Sequence, residues 1–294
     1  MLNPPLSLLS GELLVLIVEQ LERLSVSNNN KNLNNLSLAD RAFTETCQKY
    51  IFQELRLGYG RDIVSKDLEN VKKFLEDKPL LAKHVRVVRA WFSLSAFPFK
   101  DPNFTSILRL LAKSLTPPCE LNFSGLGRVS STVLSSTIKD PTFLTRQLAE
   151  SLFSQSLTIL RLRSITNVPL PLFLICPKLR EVFLNNVEAS GESYDSYPDD
   201  LCSGREAPLL EVLEYHESDT LVEQMIVPPP RFNTPVVLFS NLRVLKLDPD
   251  FREGMTYLQP ILDVACNTLE DLYLTCSFLG DGRCWQFLII RSEF

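Results

Sequence analysis

One spacing constrains this chain more than any other feature. The pattern apolar-x-x-apolar-x-apolar recurs as Phe52/Leu55/Leu57, Val85/Val88/Ala90, Pro118/Leu121/Phe123 and Leu157/Leu160/Leu162. It returns as Leu179/Val182/Leu184, Leu210/Leu213/Tyr215, Leu242/Leu245/Leu247 and Leu269/Leu272/Leu274. Apolar residues two apart share one face of a strand. Between several strands lies an apolar segment at helical spacing: Leu68 to Leu75, Ile107 to Leu115, Phe143 to Phe153 and Tyr257 to Val264. A strand plus a helix cannot bury its apolar face alone, so repeating the pair predicts stacked units with a shared core. An ordinary α/β domain also carries short Leu and Val runs. It explains single matches, but not LTILRL, LREVFL, LLEVLEY, LRVLKL and LEDLYL in one frame.

Successive matches start 33, 33, 39, 22, 31, 32 and 27 residues apart, so the units are irregular. Residues 188–208 carry six acidic residues against one Arg, and residues 228–235, PPPRFNTP, are rich in proline. Both are read as loops inserted between units. The acidic one is a solvated excursion or a partner-binding loop.

The chain of 294 residues has a net charge of -5 and no Lys/Arg-rich stripe. That argues against nucleic acid as a partner, because phosphate binding needs clustered positive charge. Seven cysteines, widely spaced and without a C-x-x-C pair, read as thiols in a reducing compartment. No Lys or Arg precedes Arg23, so the apolar N-terminus does not read as a signal peptide. The uncharged stretch Ser164 to Pro177 is broken by Pro169 and Pro171 and is too short to span ~30 Å of hydrocarbon. These features predict a soluble cytoplasmic or nuclear protein with no membrane partner.

Residues 9–24 predict a helix capped by Ser10, with Leu13, Leu14, Ile17 and Leu21 on one face. The polar run Ser25 to Asn32 predicts a linker. A second helical stretch follows, in which Leu33, Leu36, Phe43, Cys47, Tyr50 and Ile51 recur at three, four or seven. FQELRL, residues 52–57, predicts a short strand.

Leu9, Glu12, Leu13, Leu14, Ile17 and Leu21, then Leu36, Ser37, Leu38, Ala39, Arg41, Phe43 and Cys47, resemble an F-box. The sequence departs from that family at Ser10 and Gly11, where proline is usual after the opening Leu, and at Ala39, where valine is usual. The whole chain resembles an F-box protein with C-terminal leucine-rich repeats, of the type in which YIFQELRL runs directly into the first repeat strand. The resemblance implies an α/β fold: a three-helix F-box-like module over residues 1–55, then an irregular α/β leucine-rich-repeat solenoid over 56–294 with parallel strands on its concave face. It implies docking to the Skp-type linker subunit of a cullin-RING ubiquitin ligase through Leu9, Leu13, Leu14, Ile17, Leu21, Leu36, Leu38 and Phe43. The repeats are then expected to hold a protein substrate, with no chemistry and no cofactor in the chain itself. The alternative is a repeat scaffold that no longer docks to the ligase.

Strand side chains alternate, so the residue between the last two apolar positions points away from the core. This outward row includes Arg89, Arg161, Phe183, Lys246 and Tyr273, and the next includes Trp91, Arg163, Asn185 and His216. Arg and aromatic residues dominate interface energies, which makes these the candidate substrate contacts. Enzymatic signals are weak. Only His84 and His216 are present, with no G-x-S-x-G, phosphate loop, H-E-x-x-H or clustered metal ligands. His84 reads as structural. The apolar ending CWQFLIIRSEF predicts either a segment turned back over the last unit or a truncated chain.

Overall fold

A computed structural model describes residues 10–24, 31–59, 65–93, 101–126, 128–129, 132–133, 136–138, 140–151, 153–190, 205–227, 235–248, 258–277 and 284–291. It begins with three helices, α1 (Gly11–Leu24), α2 (Lys31–Ala39) and α3 (Thr44–Ile51). Ser10 caps α1 as its sequence predicts, its Oγ accepting the Leu13 N–H at 3.4 Å. The second helical stretch is not continuous. Asp40 takes an extended backbone and accepts the Ala42 N–H at 2.9 Å, so a single 3₁₀ turn separates α2 from α3. The predicted linker is also shorter, because Lys31 and Asn32 already belong to α2.

These helices own a separate core. Val18, Leu33, Phe43 and Cys47 are fully buried together, with Leu14, Leu21, Leu36, Tyr50 and Ile51 packed around them. The Tyr50 hydroxyl donates to Glu19 Oε1 at 2.9 Å and ties α3 to α1.

From Glu54 onward the repeat pattern becomes one sheet. Its strands are β1 (Glu54–Tyr59), β2 (Val87–Ser93), β3 (Glu120–Leu126), β6 (Ser136–Thr137), β7 (Ile159–Val168), β8 (Glu181–Ala189), β9 (Val212–His216), β10 (Val244–Asp248), β11 (Asp271–Ser277) and β12 (Cys284–Arg291). The order β1-β2-β3-β7-β8-β9-β10-β11 is parallel throughout, β6 adds to β7, and β12 returns antiparallel along β11. A separate hairpin joins β4 (Arg128–Val129) and β5 (Thr132–Val133). The C-terminal segment thus turns back along the last parallel strand.

The register turns the sequence pattern into geometry. Leu55, Val88, Leu121, Leu160, Val182, Leu213, Leu245 and Leu272 pair in one continuous line across eight strands. Nearly all are buried, each contributing roughly 1.5–3 kcal/mol relative to exposure. The parallel strands β2, β3 and β7 to β11 open on the same hydrogen-bond device: two successive N–H groups donate to one carbonyl of the preceding unit. Arg86 and Val87 bond Gln53 O at 2.8 and 3.0 Å, and the device recurs through Glu270 and Asp271 on Arg243 O at 2.8 and 2.9 Å. The irregular repeat lengths are absorbed elsewhere, in the returning segments.

Those segments carry α4 (Ser65–Asp77), α5 (Pro79–Ala82), α6 (Pro102–Ala112), α7 (Pro141–Glu150), α8 (Pro171–Leu174), α9 (Asp219–Ile226) and α10 (Leu258–Ala265). Two start on an Asp-Pro pair. Asp101 and Asp140 each accept a first-turn N–H at 2.8 Å, and each is followed by a proline whose missing N–H is not needed there. Residues Leu68, Phe104, Ile107, Leu111, Leu144, Leu221 and Ile261 of these helices share one buried cluster with the strand residues. The result is an α/β, solenoid-like parallel sheet. Most of the predicted loops, residues 191–204 and 228–234, lies outside the described residues, whereas Glu188 and Ala189 extend β8.

Three strands share one irregularity at or near their C-terminal ends. Ser164, Asn186 and Glu217 lie two residues beyond Leu162, Leu184 and Tyr215, with φ of 53°, 53° and 47°. A left-handed residue there breaks the alternation and sends the next side chain, Ile165, Val187 or Ser218, into the core. The Ser218 hydroxyl lies between neighbouring units, accepting the Val187 N–H at 3.0 Å and donating to His216 O at 2.9 Å.

Candidate functional site

Two surfaces gather the residues the sequence singles out. The first is on α1. Successive helical side chains turn by about 100°, so Leu14, Val18 and Leu21 occupy one arc while Leu13, Leu16 and Ile17 occupy another. The first arc packs on α2 and α3. The second stays open: Leu13 is 48%, Leu16 53% and Ile17 36% exposed. The predicted single face of Leu13, Leu14, Ile17 and Leu21 is therefore divided. Leu14 and Leu21 serve the internal core, with Val18 as its central residue, and Leu16 joins the open arc. Leu36 is half-buried, Leu38 is 85% exposed at the end of α2, and Leu9 lies outside the described residues. Phe43, expected among the docking residues, is buried against Val18 and Leu33.

Gly11, at the departure from the family pattern, has space around it. A Cβ added there meets nothing within 4 Å. The start of α1 is thus set by the Ser10 cap and not by crowding.

The second surface is the outward side of the sheet. Arg56, Arg89, Asn122, Arg161, Phe183, Glu214, Lys246 and Tyr273 form one line across it. Most of this line is tied to itself. Glu54 reaches both Arg56 and Arg89, the latter at 3.0 Å. Arg161 Nε donates to Glu120 at 2.9 Å, and its guanidinium sits 3.5 Å from the Phe183 ring centre. Lys246 lies 3.4 Å from Glu214 and 5.3 Å from the Tyr273 ring. Cross-strand pairs of this kind contribute roughly 0.2–1 kcal/mol each. The next line runs Gly58, Trp91, Ser124, Arg163, Asn185, His216 and Asp248. Arg163 is exposed, Trp91, Ser124, Asn185 and His216 are half-buried, and His216 Nε2 is 3.6 Å from Glu217 Oε1. A third row, missed in the sequence, crosses the strand starts: Arg180 pairs with Glu211 at 2.6 Å and Arg243 grips Glu270 with two bonds of 2.8 Å. The bidentate bond raises the Arg243 pKa and lowers that of Glu270.

The titratable groups describe structure more than chemistry. Burial pushes the Cys176 thiol up to about 12 and raises that of Cys47, so neither supplies a thiolate nucleophile. His84 is buried in the turn before β2. Its pKa is lowered by burial and then by Lys83. A groove of about 280 Å³ between α4, α5 and α6 is lined by Leu75, Leu80, Leu110 and Leu115 with Lys83 and Lys113, and carries no carboxylate, His or Cys. Among the described residues, no helix is long and apolar enough to cross a membrane.

Comparison of the chain with protein-family models, with curated proteins and with solved structures returns no match.

Proposed function

We propose that this protein is a non-catalytic adaptor, the substrate receptor of a Skp–cullin–F-box ubiquitin ligase. Its N-terminal helices dock the linker subunit and its sheet holds a protein substrate. One observation carries the reading: α1 is apolar on two arcs, and only one is used internally. Leu13, Leu16 and Ile17 remain in water on a helix already anchored by Val18. Exposed apolar clusters on a folded helix mark partner surfaces, and the i, i+3, i+4 spacing fits a helix–helix or helix–groove contact. The resemblance of residues 9–47 to an F-box names the partner class.

A second reading, a repeat scaffold without ligase docking, draws on Ser10 and Gly11 standing where the family carries proline and on Phe43 being withdrawn into the core. Binding of the full chain to a purified Skp-type linker subunit separates the two. The adaptor reading expects a complex that survives gel filtration and is lost in the Leu13→Asp/Ile17→Asp variant, with unchanged circular dichroism. No complex with the unaltered chain, or one indifferent to the double substitution, favours the scaffold.

A further inference from the structure

The two outward lines of the sheet differ in what they have left to offer. In the first, Arg89, Arg161 and Lys246 each have an acidic partner, and Arg161 and Lys246 also lie against aromatic rings. A ligand competing for these groups must break existing pairs. In the second line, Arg163 is exposed and has no ion-pair or hydrogen-bond partner among the described residues. Its neighbours in register are Ser124 on one side, whose hydroxyl donates to Asn122 Oδ1 at 3.3 Å, and Asn185 on the other, both uncharged. Trp91 lies one strand beyond Ser124, and His216 one strand beyond Asn185.

We propose that this second line is the reading row for the substrate, and that Arg163 anchors a carboxylate side chain of an extended acidic segment. The inference rests on the adaptor reading for the source of the peptide, but the row stands on its own geometry. A guanidinium presents a planar fork that matches a carboxylate with two bonds. The two flanking side chains are neutral, so the site supplies one positive charge. That balances one carboxylate and leaves a phosphate dianion under-compensated. Strands sit about 4.8 Å apart, so the row from Trp91 to His216 spans roughly 19 Å, about six extended residues. Trp91 lies about 10 Å from Arg163, the reach of an apolar residue placed three positions from the acid. The first line serves as a stiff, self-neutralised floor. Charge complementarity thus selects an acidic segment even though the chain itself carries a net charge of -5.

The probe is an array of octapeptides with Glu, Gln, phosphoserine or Lys fixed at the centre and the flanks randomised, incubated with the full chain. The expected result is preferential retention on Glu-centred peptides, by about tenfold over Gln-centred ones. That preference disappears in Arg163→Gln and persists in Arg56→Gln, whose charge is already paired with Glu54. Equal retention on Glu and Gln, stronger retention on phosphoserine, or a preference that survives Arg163→Gln each overturns the proposal. Linker-subunit binding, measured on the same preparations, is expected to be unchanged by Arg163→Gln. Absence of the Glu preference in the unaltered chain with linker binding intact defeats this inference alone, and a Glu preference in the unaltered chain without linker binding defeats the adaptor reading alone.

Discussion

Glu217 offers a sharp test of how the sheet is built. Its φ of 47° lies in the left-handed region, its side chain is exposed, and His216 Nε2 lies 3.6 Å from its carboxylate. A left-handed conformation costs an L-residue roughly 1–2 kcal/mol. Glycine removes that penalty but adds roughly 0.5–1 kcal/mol of unfolded-chain entropy. An exposed pair of this length contributes at most about 0.5 kcal/mol. The net expectation for Glu217→Gly is a gain of about 0.5 kcal/mol. Glu217→Val is expected to lose about 1–2 kcal/mol, because a β-branched side chain tolerates positive φ least. Asn186→Gly is expected to be near neutral, since Asn already enters this region with little strain. Urea midpoints followed by far-ultraviolet circular dichroism report all three, with slopes that must match the parent for the comparison to hold. A destabilised Glu217→Gly beside a neutral Glu217→Val refutes the left-handed conformation at this position, and with it the common device at Ser164, Asn186 and Glu217.

Three further outcomes follow from the packing and charge. Leu213→Ala, in the middle of the buried line between Val182 and Leu245, is expected to lose about 2–5 kcal/mol, whereas Lys246→Ala on the outward line loses under about 1 kcal/mol; denaturant midpoints check both. His84 has a folded pKa below its ordinary 6.5, because burial and then Lys83 disfavour the charged ring while Glu45 only partly opposes them. The unfolded chain therefore takes up the proton first. Stability is fully present above pH 6.5 and falls as pH drops from there through the folded pKa, and His84→Gln flattens this limb in a pH series of thermal melts. The Arg243–Glu270 pair is fully exposed, so any stability lost on Glu270→Gln is expected to vanish in ~1 M salt, measured as the difference in melting temperature at low and high salt.

The sheet was legible in the sequence because its register depends on local spacing. Even weak matches such as Ala90 and Pro118 fall on or just ahead of strands paired in line, since their neighbours Val88 and Leu121 fix the frame. The Ser10 cap was legible for the same reason, being a contact three residues long. The α1 surface was only half legible. Apolar residues cover well over one arc of that helix, and periodicity alone does not say which arc meets α2 and α3. That choice left Leu13 and Ile17 outside and drew Val18 in, although the spacing Leu14, Val18, Leu21 was there to be read. Phe43 was assigned outward through family resemblance, while the break at Asp40 turns it inward. The self-pairing of the first outward line depends on which strands are neighbours, which no single stretch encodes. The positive-φ positions had one faint signal, the Asn pair of VFLNN at Asn185 and Asn186.

The most direct test of the central claim, a docking helix separate from a substrate-reading sheet, is hydrogen exchange on the full chain with and without a Skp-type linker subunit. The account predicts added protection confined to residues 10–51, strongest across α1, with exchange in β2, β3, β7 and β8 unchanged. Protection mapped to the sheet and absent from α1 contradicts it.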